Sequence, residues 1–303
     1  MPRLHSLLIS HRGKRLLERY FNGTEADDIA NVKSVSKSLI SALVGIAIAK
    51  GHIPSVREPI AQYFDDTAFQ GTGAANAQIT IEDLLTMQAG LQTTSNRNYG
   101  AWVLSPNWID FALQQPLTSA PGTRMQYSTG NTHLLSAILT RATRMSTLEF
   151  AREHLSGPLG FRLAPWPRDP QGVYFGGNDM ELTPNQMLAI GETYLSGGQR
   201  NGHQVIPAEW IDASFRPHAE SPREAGRYYG YGWWIRNMAG FQSPYAWGYG
   251  GQFILLVPEL ELVVVTTSSS NPGPDRRRHT RAMYDLVEYE IIAPFSRTLA
   301  GPD

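Results

Sequence analysis

Ser34 and Lys37 stand at the start of the most apolar stretch of the chain. On a helix, the i, i+3 spacing places the two side chains on one face, one turn apart. An ammonium that enters an apolar environment has a lowered pKa, because desolvation penalises its charged form. A neutral lysine beside a serine hydroxyl can serve as general base for a nucleophile, and the helix N-terminus offers backbone N–H groups to an oxyanion. The pair is therefore a candidate for nucleophilic serine chemistry.

A purely structural interpretation of the same pair is that Ser34 caps the helix and Lys37 reaches solvent. The rarity of lysine in the chain makes the catalytic interpretation as strong as the structural one. Of 26 basic residues besides histidine, only Lys14, Lys33, Lys37 and Lys50 are lysines. Because a buried lysine can lose its proton and an arginine cannot, an arginine-rich chain has a chemical reason to retain lysine at position 37.

Two further segments carry residues suited to a site. Tyr127 lies in the polar segment 121–131, ahead of an apolar helix, and the alternative role for it is packing with a hydrogen-bonded hydroxyl. Residues 246–252, Ala-Trp-Gly-Tyr-Gly-Gly-Gln, precede a strand-like run. Their glycines would allow a ligand close to the backbone or form a bulged strand edge. A phosphate loop is not indicated, because no helix or lysine follows.

Composition excludes several classes of protein. The net charge of −1 gives no pull toward nucleic acid or an anionic membrane. The absence of cysteine excludes disulfides, thiolate nucleophiles and cysteine-bound zinc, and the eight histidines are scattered. We therefore expect no metal and no cofactor. The apolar run 39–49 is too short to span a bilayer, and the N-terminus lacks a signal-peptide pattern. Cytoplasmic and exported locations both stay open, as does the oligomeric state.

The elements that position these residues follow from hydrophobic patterning. A hairpin is predicted over 4–21 and a buried helix over 34–50, with an ordered surface loop at 92–107 and a solvated loop at Arg276–His279. The pattern predicts strands at 229–235, 253–257 and 260–267. Helices are predicted to begin at Thr80 and to lie near 107–115, 130–144, 146–155, 183–196, 207–214 and 279–292.

This order predicts an α+β fold in which both chain ends build one antiparallel sheet flanked by helices. Residues 1–65 and 225–303 would form a discontinuous α/β lobe, and residues 66–224 a mostly helical lobe. A cleft between the lobes is a natural place for a site.

Ser34-x-x-Lys37, Tyr127-Ser-x and a glycine-bearing strand, in this order, resemble the serine β-lactamase and penicillin-binding-protein superfamily. The resemblance is greatest to the branch of class C β-lactamases, D-aminopeptidases, family VIII esterases and 6-aminohexanoate-dimer hydrolases. Supporting segments lie at 84–91, 157–160, 179–184 and 229–234, so the resemblance covers nearly the whole chain. It implies the β-lactamase/transpeptidase-like fold.

The resemblance also implies residue roles. Ser34 would be acylated, Lys37 would be its base, and Tyr127 would relay protons to the leaving group, in part as a phenolate. The oxyanion hole would consist of the Ser34 N–H and a strand N–H, which we assign to Tyr249. Three more residues would lie beside the substrate: Trp247, Gly248 and Thr129.

The sequence departs from the related β-lactamases at two places. Their strand carries Lys-Thr-Gly or His-x-Gly, whereas the aligned triplet here is Ala246-Trp247-Gly248, and Thr129 stands where an asparagine would fall. Both changes remove groups that hold a substrate carboxylate. They favour a small ester or linear amide as substrate, cleaved through an acyl-enzyme. A β-lactamase or D-peptidase, and a non-catalytic binding relative of the fold, are the alternatives.

Overall fold

An eight-stranded antiparallel sheet runs through the computed structural model, which describes residues 1–69 and 74–295. Its strand order is β2-β1-β12-β11-β10-β9-β8-β7. The strands of the sheet have these bounds: β1 Leu4–His11, β2 Lys14–Tyr20, β7 Ala219–Glu220, β8 Tyr228–Tyr229, β9 Trp234–Met238, β10 Phe241–Gly248, β11 Gln252–Val257 and β12 Leu262–Ser268. Two small two-stranded pairs stand apart: β3 Ala30–Asn31 with β4 Glu181–Leu182, and β5 Gln199–Arg200 with β6 His203–Gln204.

Ten α-helices lie within the described residues. They are α1 Ser36–Ala49, α2 Ala74–Ala77, α3 Ile81–Leu85, α4 Tyr99–Val103, α5 Trp108–Leu113, α6 Thr129–Thr143, α7 Thr147–Ala151, α8 Pro184–Leu195, α9 Ala208–Ser214 and α10 Arg276–Asp285. Helix α7 continues as a π-helix to Ser156, and α10 does so to Ile292. No helix in this part of the chain is long and apolar enough to cross a membrane.

The two central strands β11 and β12 are buried along their full lengths, because helices cover both faces of the sheet. Alternate side chains enter different cores, as the period of two in a strand requires. Ile254 and Leu256 belong to the same core as the buried residues of α1, α6 and α8, whereas Phe253 and Leu255 belong to the core that includes the C-terminal helix. The sheet takes its strands from residues 4–20 and 219–268, so the expected sheet built from both ends is confirmed. The division into two lobes remains a prediction.

The N-terminal hairpin also agrees with its prediction. Arg12 and Gly13 both have positive φ, as a two-residue turn between twisted antiparallel strands requires. The helices expected near 107–115, 130–144, 183–196 and 207–214 correspond to α5, α6, α8 and α9.

Several local predictions were wrong. The segment 229–235 is split between β8 and β9, because Tyr231 and Gly232 turn toward α1, where their carbonyls accept hydrogen bonds from Ser41 and Ser38. Hydrophobic patterning did not predict strand β10, and only its end at 246–248 was placed on a strand, through the family resemblance. Its Pro244 lies just before the point where pairing with β11 begins.

Two predicted loops are partly helical. The segment 92–107 contains α4, whose Trp102 is fully buried and donates a hydrogen bond to the Trp108 carbonyl. Arg276–His279 forms the first turn of α10, because His279 is buried and its Nε2 lies 3.0 Å from Ser268 Oγ.

Candidate active site

Ser34 lies in a single turn of 3-10 helix, residues 33–35, immediately before α1. Lys33 has a φ of +51°, a conformation that costs a non-glycine residue about 1 kcal/mol or more. Its backbone is held there from both sides. The Lys33 N–H donates to Asn31 Oδ1, and the Lys33 carbonyl accepts from Ser36 Oγ at 2.6 Å. The turn that presents Ser34 is therefore fixed by its neighbours in sequence.

Asp179, in the loop before β4, binds the turn that contains Ser34. Its Oδ1 lies 2.8 Å from Lys33 Nζ and 2.9 Å from Asn31 Nδ2. One residue along, the Met180 carbonyl accepts from the Val32 N–H at 2.9 Å. The loop before β4 thus holds the Ser34 turn.

The Lys37 side chain is 1% exposed and ends in a ring of polar atoms. Its Nζ lies 3.1 Å from Ser34 Oγ, 3.3 Å from Thr129 Oγ1 and 2.5 Å from the Gly177 carbonyl. A neutral amine has two N–H groups and one lone pair. Gly177 O and Thr129 Oγ1 can accept the two N–H groups, which leaves the lone pair for the Ser34 hydroxyl proton.

Burial sets the protonation of Lys37. Desolvation lowers the pKa of Lys37 to about 7, and the nearby charge of Asp179 opposes that shift. At neutral pH a large fraction of this amine is therefore unprotonated, as a general base requires.

The carbonyl of Gly177 reaches Lys37 because two glycines pack directly on α6. A Cβ at Gly177 would lie 2.4 Å from Thr132 Oγ1, and one at Gly176 would lie 2.1 Å from the Thr132 carbonyl. The Gly176 N–H donates to Nδ1 of His133, whose Nε2 lies 2.9 Å from Asp169 Oδ2. This fully buried His–Asp pair holds the segment that contacts Lys37.

Tyr127 also lies beside Ser34, with which it forms a hydrogen bond. Its ring stacks on Trp234 of β9, with 5.5 Å between centroids and 15° between planes. Lys37 Nζ lies 5.1 Å from the centroid of the Tyr127 ring. The ring therefore has a fixed position between the base and the sheet.

Residues 93–95 hold the backbone around Tyr127 and cap α6. Thr93 Oγ1 donates to the Tyr127 carbonyl at 2.7 Å. The N–H groups of Thr129 and Gly130 donate to Ser95 Oγ and Thr94 Oγ1, both at 2.8 Å. Free N–H groups at the helix start thus receive acceptors from a separate segment.

Burial raises the pKa of Tyr127 to about 12, although a hydrogen bond with Ser34 and the charge of Arg227 act in the opposite direction. The resting residue is therefore a neutral phenol. This corrects the expectation of a partial phenolate, because desolvation outweighs both stabilising influences.

Comparisons with known proteins identify the family. A family model described as Beta-lactamase matches residues 5–288. The chain belongs to this β-lactamase family.

Similar proteins include hydrolases. The 6-aminohexanoate-dimer hydrolase of Paenarthrobacter ureafaciens is 28% identical over 293 residues, which cover 88% of this chain and 72% of the relative. A Bacillus anthracis structure named as a 6-aminohexanoate-dimer hydrolase has a TM-score of 0.81 at 20% identity, covering 96% of this chain and 80% of that chain. A Bacteroides dorei structure named as a β-lactamase has a TM-score of 0.80 at 16% identity, covering 95% and 92%. The chain is thus a hydrolase of the β-lactamase and penicillin-binding-protein superfamily.

The remaining residues assigned from the family resemblance lie near the site in different ways. Trp247 lines a cavity that Tyr127 also lines. Gly248 packs against the Ser34 turn, because a Cβ there would lie 2.2 Å from the Val32 carbonyl. The Tyr249 ring has Arg276 4.3 Å from its centroid. Its assignment to the oxyanion hole concerns the backbone N–H and stays a prediction.

Thr129 is 5% exposed, and its hydroxyl lies between Lys37 Nζ and Ser95 Oγ. It therefore contacts the buried network around the base, and its place beside the substrate stays a prediction. The close approach at Gly248 is likewise to the protein's own backbone.

Other aromatic side chains differ in whether they reach this cavity. Trp234 lines the cavity with Trp247, whereas Trp102 and Trp233 are fully buried. Tyr99 accepts a hydrogen bond from Asn178 Nδ2 at 3.3 Å. Across residues 1–69 and 74–295, no three His, Asp or Glu side chains are grouped as metal ligands.

Sequence reasoning missed the contacts that hold the site. Lys33 offered a signal, since it is one of four lysines and precedes Ser34 directly. The Gly177 carbonyl offered none, because it is a backbone atom 140 residues from Lys37 in the chain.

Proposed function

We propose that the protein is a serine hydrolase that cleaves a small ester or linear amide through an acyl-enzyme on Ser34. The observation that carries the proposal is the buried Lys37 amine, 3.1 Å from Ser34 Oγ, with a pKa near 7. A structural lysine would pair with a carboxylate or reach solvent. Lys37 instead contacts a hydroxyl pair and a carbonyl, which suits a neutral base.

In the first step, Lys37 takes the Ser34 proton while Oγ attacks the substrate carbonyl carbon. The negative charge that forms on the carbonyl oxygen would be held by the N–H groups of Ser34 and Tyr249. As the C–O or C–N bond breaks, Tyr127 gives its proton to the leaving atom, and the Lys37 ammonium then restores that proton. The products are the acyl-enzyme and a neutral alcohol or amine.

In the second step, water attacks the acyl-enzyme and loses its proton to Lys37. The bond from carbon to Ser34 Oγ breaks, and Oγ recovers a proton. The sum is hydrolysis of one ester or amide by one water. A phenol with a raised pKa suits the role of Tyr127, since a group that donates a proton must begin protonated.

The choice of substrate rests on the strand beside Ser34. Ala246-Trp247-Gly248 has no lysine, histidine or hydroxyl to hold a β-lactam carboxylate, and this supports an ester or linear amide over a lactam. The name of the Paenarthrobacter ureafaciens relative supports an amide.

The test is intact-mass spectrometry after brief exposure to a fluorophosphonate. Wild type should gain one adduct and Ser34→Ala none, because only an activated serine reacts quickly. Ser38→Ala is a matched control in the same helix and should retain the adduct. Failure of wild type to react would contradict the hydrolase, and an adduct on Ser34→Ala would identify another nucleophile.

Turnover of a nitrophenyl ester and of a chromogenic cephalosporin then separates the substrate classes. We expect the ester to be hydrolysed and the cephalosporin not. The reverse pattern would favour a β-lactamase.

A further inference from the structure

A cavity of about 450 Å³ opens beside Tyr127. Trp234 and Trp247 form aromatic parts of its wall, and Arg124, Arg223 and Arg227 also line it. No Asp or Glu lines this cavity within the part of the chain that the structure describes. The cavity is therefore positively charged at every pH at which the fold exists, because arginine does not lose its proton.

One carboxylate lies close to these arginines. Glu224 is 3.3 Å from Arg227 Nη1 and 3.7 Å from Arg236 Nη1, so it is shared between two guanidinium groups. It does not neutralise Arg124 or Arg223, which are exposed. The cavity keeps an excess of positive charge.

Arg227 is held in place by aromatic rings. Its guanidinium carbon lies 3.8 Å from the centroid of the Trp234 ring, and Trp234 stacks on Tyr127. Arg227 Nε and Trp247 Nε1 are two of several buried N–H groups that have no hydrogen-bond partner among the described residues, and both belong to residues that line this cavity. Buried donors usually have acceptors, so two such atoms in residues that line one cavity indicate a ligand that supplies them.

We propose that this cavity binds the leaving-group part of the substrate and selects a leaving group that carries a carboxylate. The assignment rests on the proposed function, in which Tyr127 protonates the leaving atom. Because Tyr127 lines the cavity, the departing alcohol or amine lies on this side of Ser34. A planar carboxylate matches the paired N–H groups of a guanidinium. The site differs from the strand position 246–248, since its charges come from Arg124 and from the segment before β8.

Binding of the released product tests the cavity without any turnover. We would titrate 4-hydroxybenzoate and its uncharged analogue 4-hydroxybenzamide into the Ser34→Ala protein, with calorimetry as the readout. The carboxylate should bind at least about tenfold more tightly, as expected for a charge-assisted hydrogen bond. Arg223→Gln and Arg227→Gln should each reduce that preference several-fold. Arg19→Gln, on the edge strand β2 at the far side of the sheet, is the matched control and should not.

Turnover of the corresponding acetate esters then separates the two proposals. 4-Carboxyphenyl acetate and 4-carbamoylphenyl acetate form the same acetyl-enzyme, so a difference in kcat/KM reports only acylation and the leaving group. The wild type should favour the carboxylate ester by a similar factor. Equal affinity for the two phenols overturns the cavity proposal whether or not esters are cleaved. A tenfold binding preference without cleavage of either ester supports the cavity and overturns the proposed hydrolase.

Discussion

Lys37 and the three arginines of the cavity all lie close to Tyr127, and they differ in their exposure to water. Lys37 is buried among a hydroxyl pair and a carbonyl, and its pKa falls to about 7. Arg223 and Arg124 are exposed in the neighbouring cavity, and Arg227 is half-buried on a tryptophan ring. A lysine without water becomes a base, whereas an arginine beside water remains a permanent charge.

Because they differ in exposure, Lys37 and the cavity arginines suit separate tasks, although both residue types are basic. The buried Lys37 amine can give and take a proton, so it suits the step that activates Ser34. The exposed cations can only attract, so they suit the choice of substrate. Exchanging lysine and arginine between the two regions should therefore impair proton transfer in the first and substrate selection in the second.

The largest effect should come from Lys37→Arg. An arginine would keep the positive charge but could not accept the Ser34 proton, so kcat/KM for an ester should fall by about 10² to 10⁴. Lys50→Arg, the same change at an exposed position, should leave kcat/KM unchanged. Steady-state ester hydrolysis measures both. Retention of activity in Lys37→Arg would show that charge, and not proton transfer, is the role of this position.

The second prediction concerns stability. Between pH 7 and about 10, the unfolded chain binds a proton on Lys37 that the folded chain does not, so this group makes the protein more stable as pH rises. Lys37→Met removes the group. Its free energy of unfolding should exceed that of wild type by on the order of a few kcal/mol at pH 6, and the excess should shrink toward pH 10. Urea unfolding at several pH values measures it. A difference that does not change with pH would mean that Lys37 has an ordinary pKa.

The smallest effect should be a pair of opposite shifts in the pH profile. The charge of Asp179 raises the pKa of Lys37, so Asp179→Asn should lower that pKa and move the acidic limb of kcat/KM to lower pH. Lys33→Met leaves the Asp179 charge without its ion pair and should move the limb to higher pH. Each shift should be about one pH unit or less. Shifts in the same direction would indicate a disturbed Ser34 turn in place of an electrostatic effect.

The contact between Ser34 and Lys37 could be predicted from the sequence because it is local. Ser34 and Lys37 are one helical turn apart, so their contact follows from spacing alone. The position of Tyr127 in a polar turn before an apolar helix was equally typical of a packing residue, and its assignment to the site came from the family resemblance. The sheet made from both chain ends followed from the distribution of β-branched and aromatic residues.

The rest depends on contacts between distant segments. The family resemblance predicts a substrate-holding cation only on the strand triplet 246–248, where the related lactamases carry one. Arg223 and Arg227 lie in a polar segment that no periodicity connects to Tyr127, and only the sheet brings them together. The capping of α6 by Thr94 and Ser95 was likewise invisible, since the acceptors lie more than 30 residues from the helix start.

The Gly177 carbonyl has a consequence for how this site can vary. Every residue has a carbonyl, so no single substitution can delete the acceptor closest to Lys37 Nζ. A change in that contact has to come from moving the chain, through a side chain at Gly176 or Gly177 or through loss of the His133–Asp169 pair. A mutational search that scores only side chains around Lys37 would pass over this contact, and an engineer who wants to tune the base should begin one layer further out.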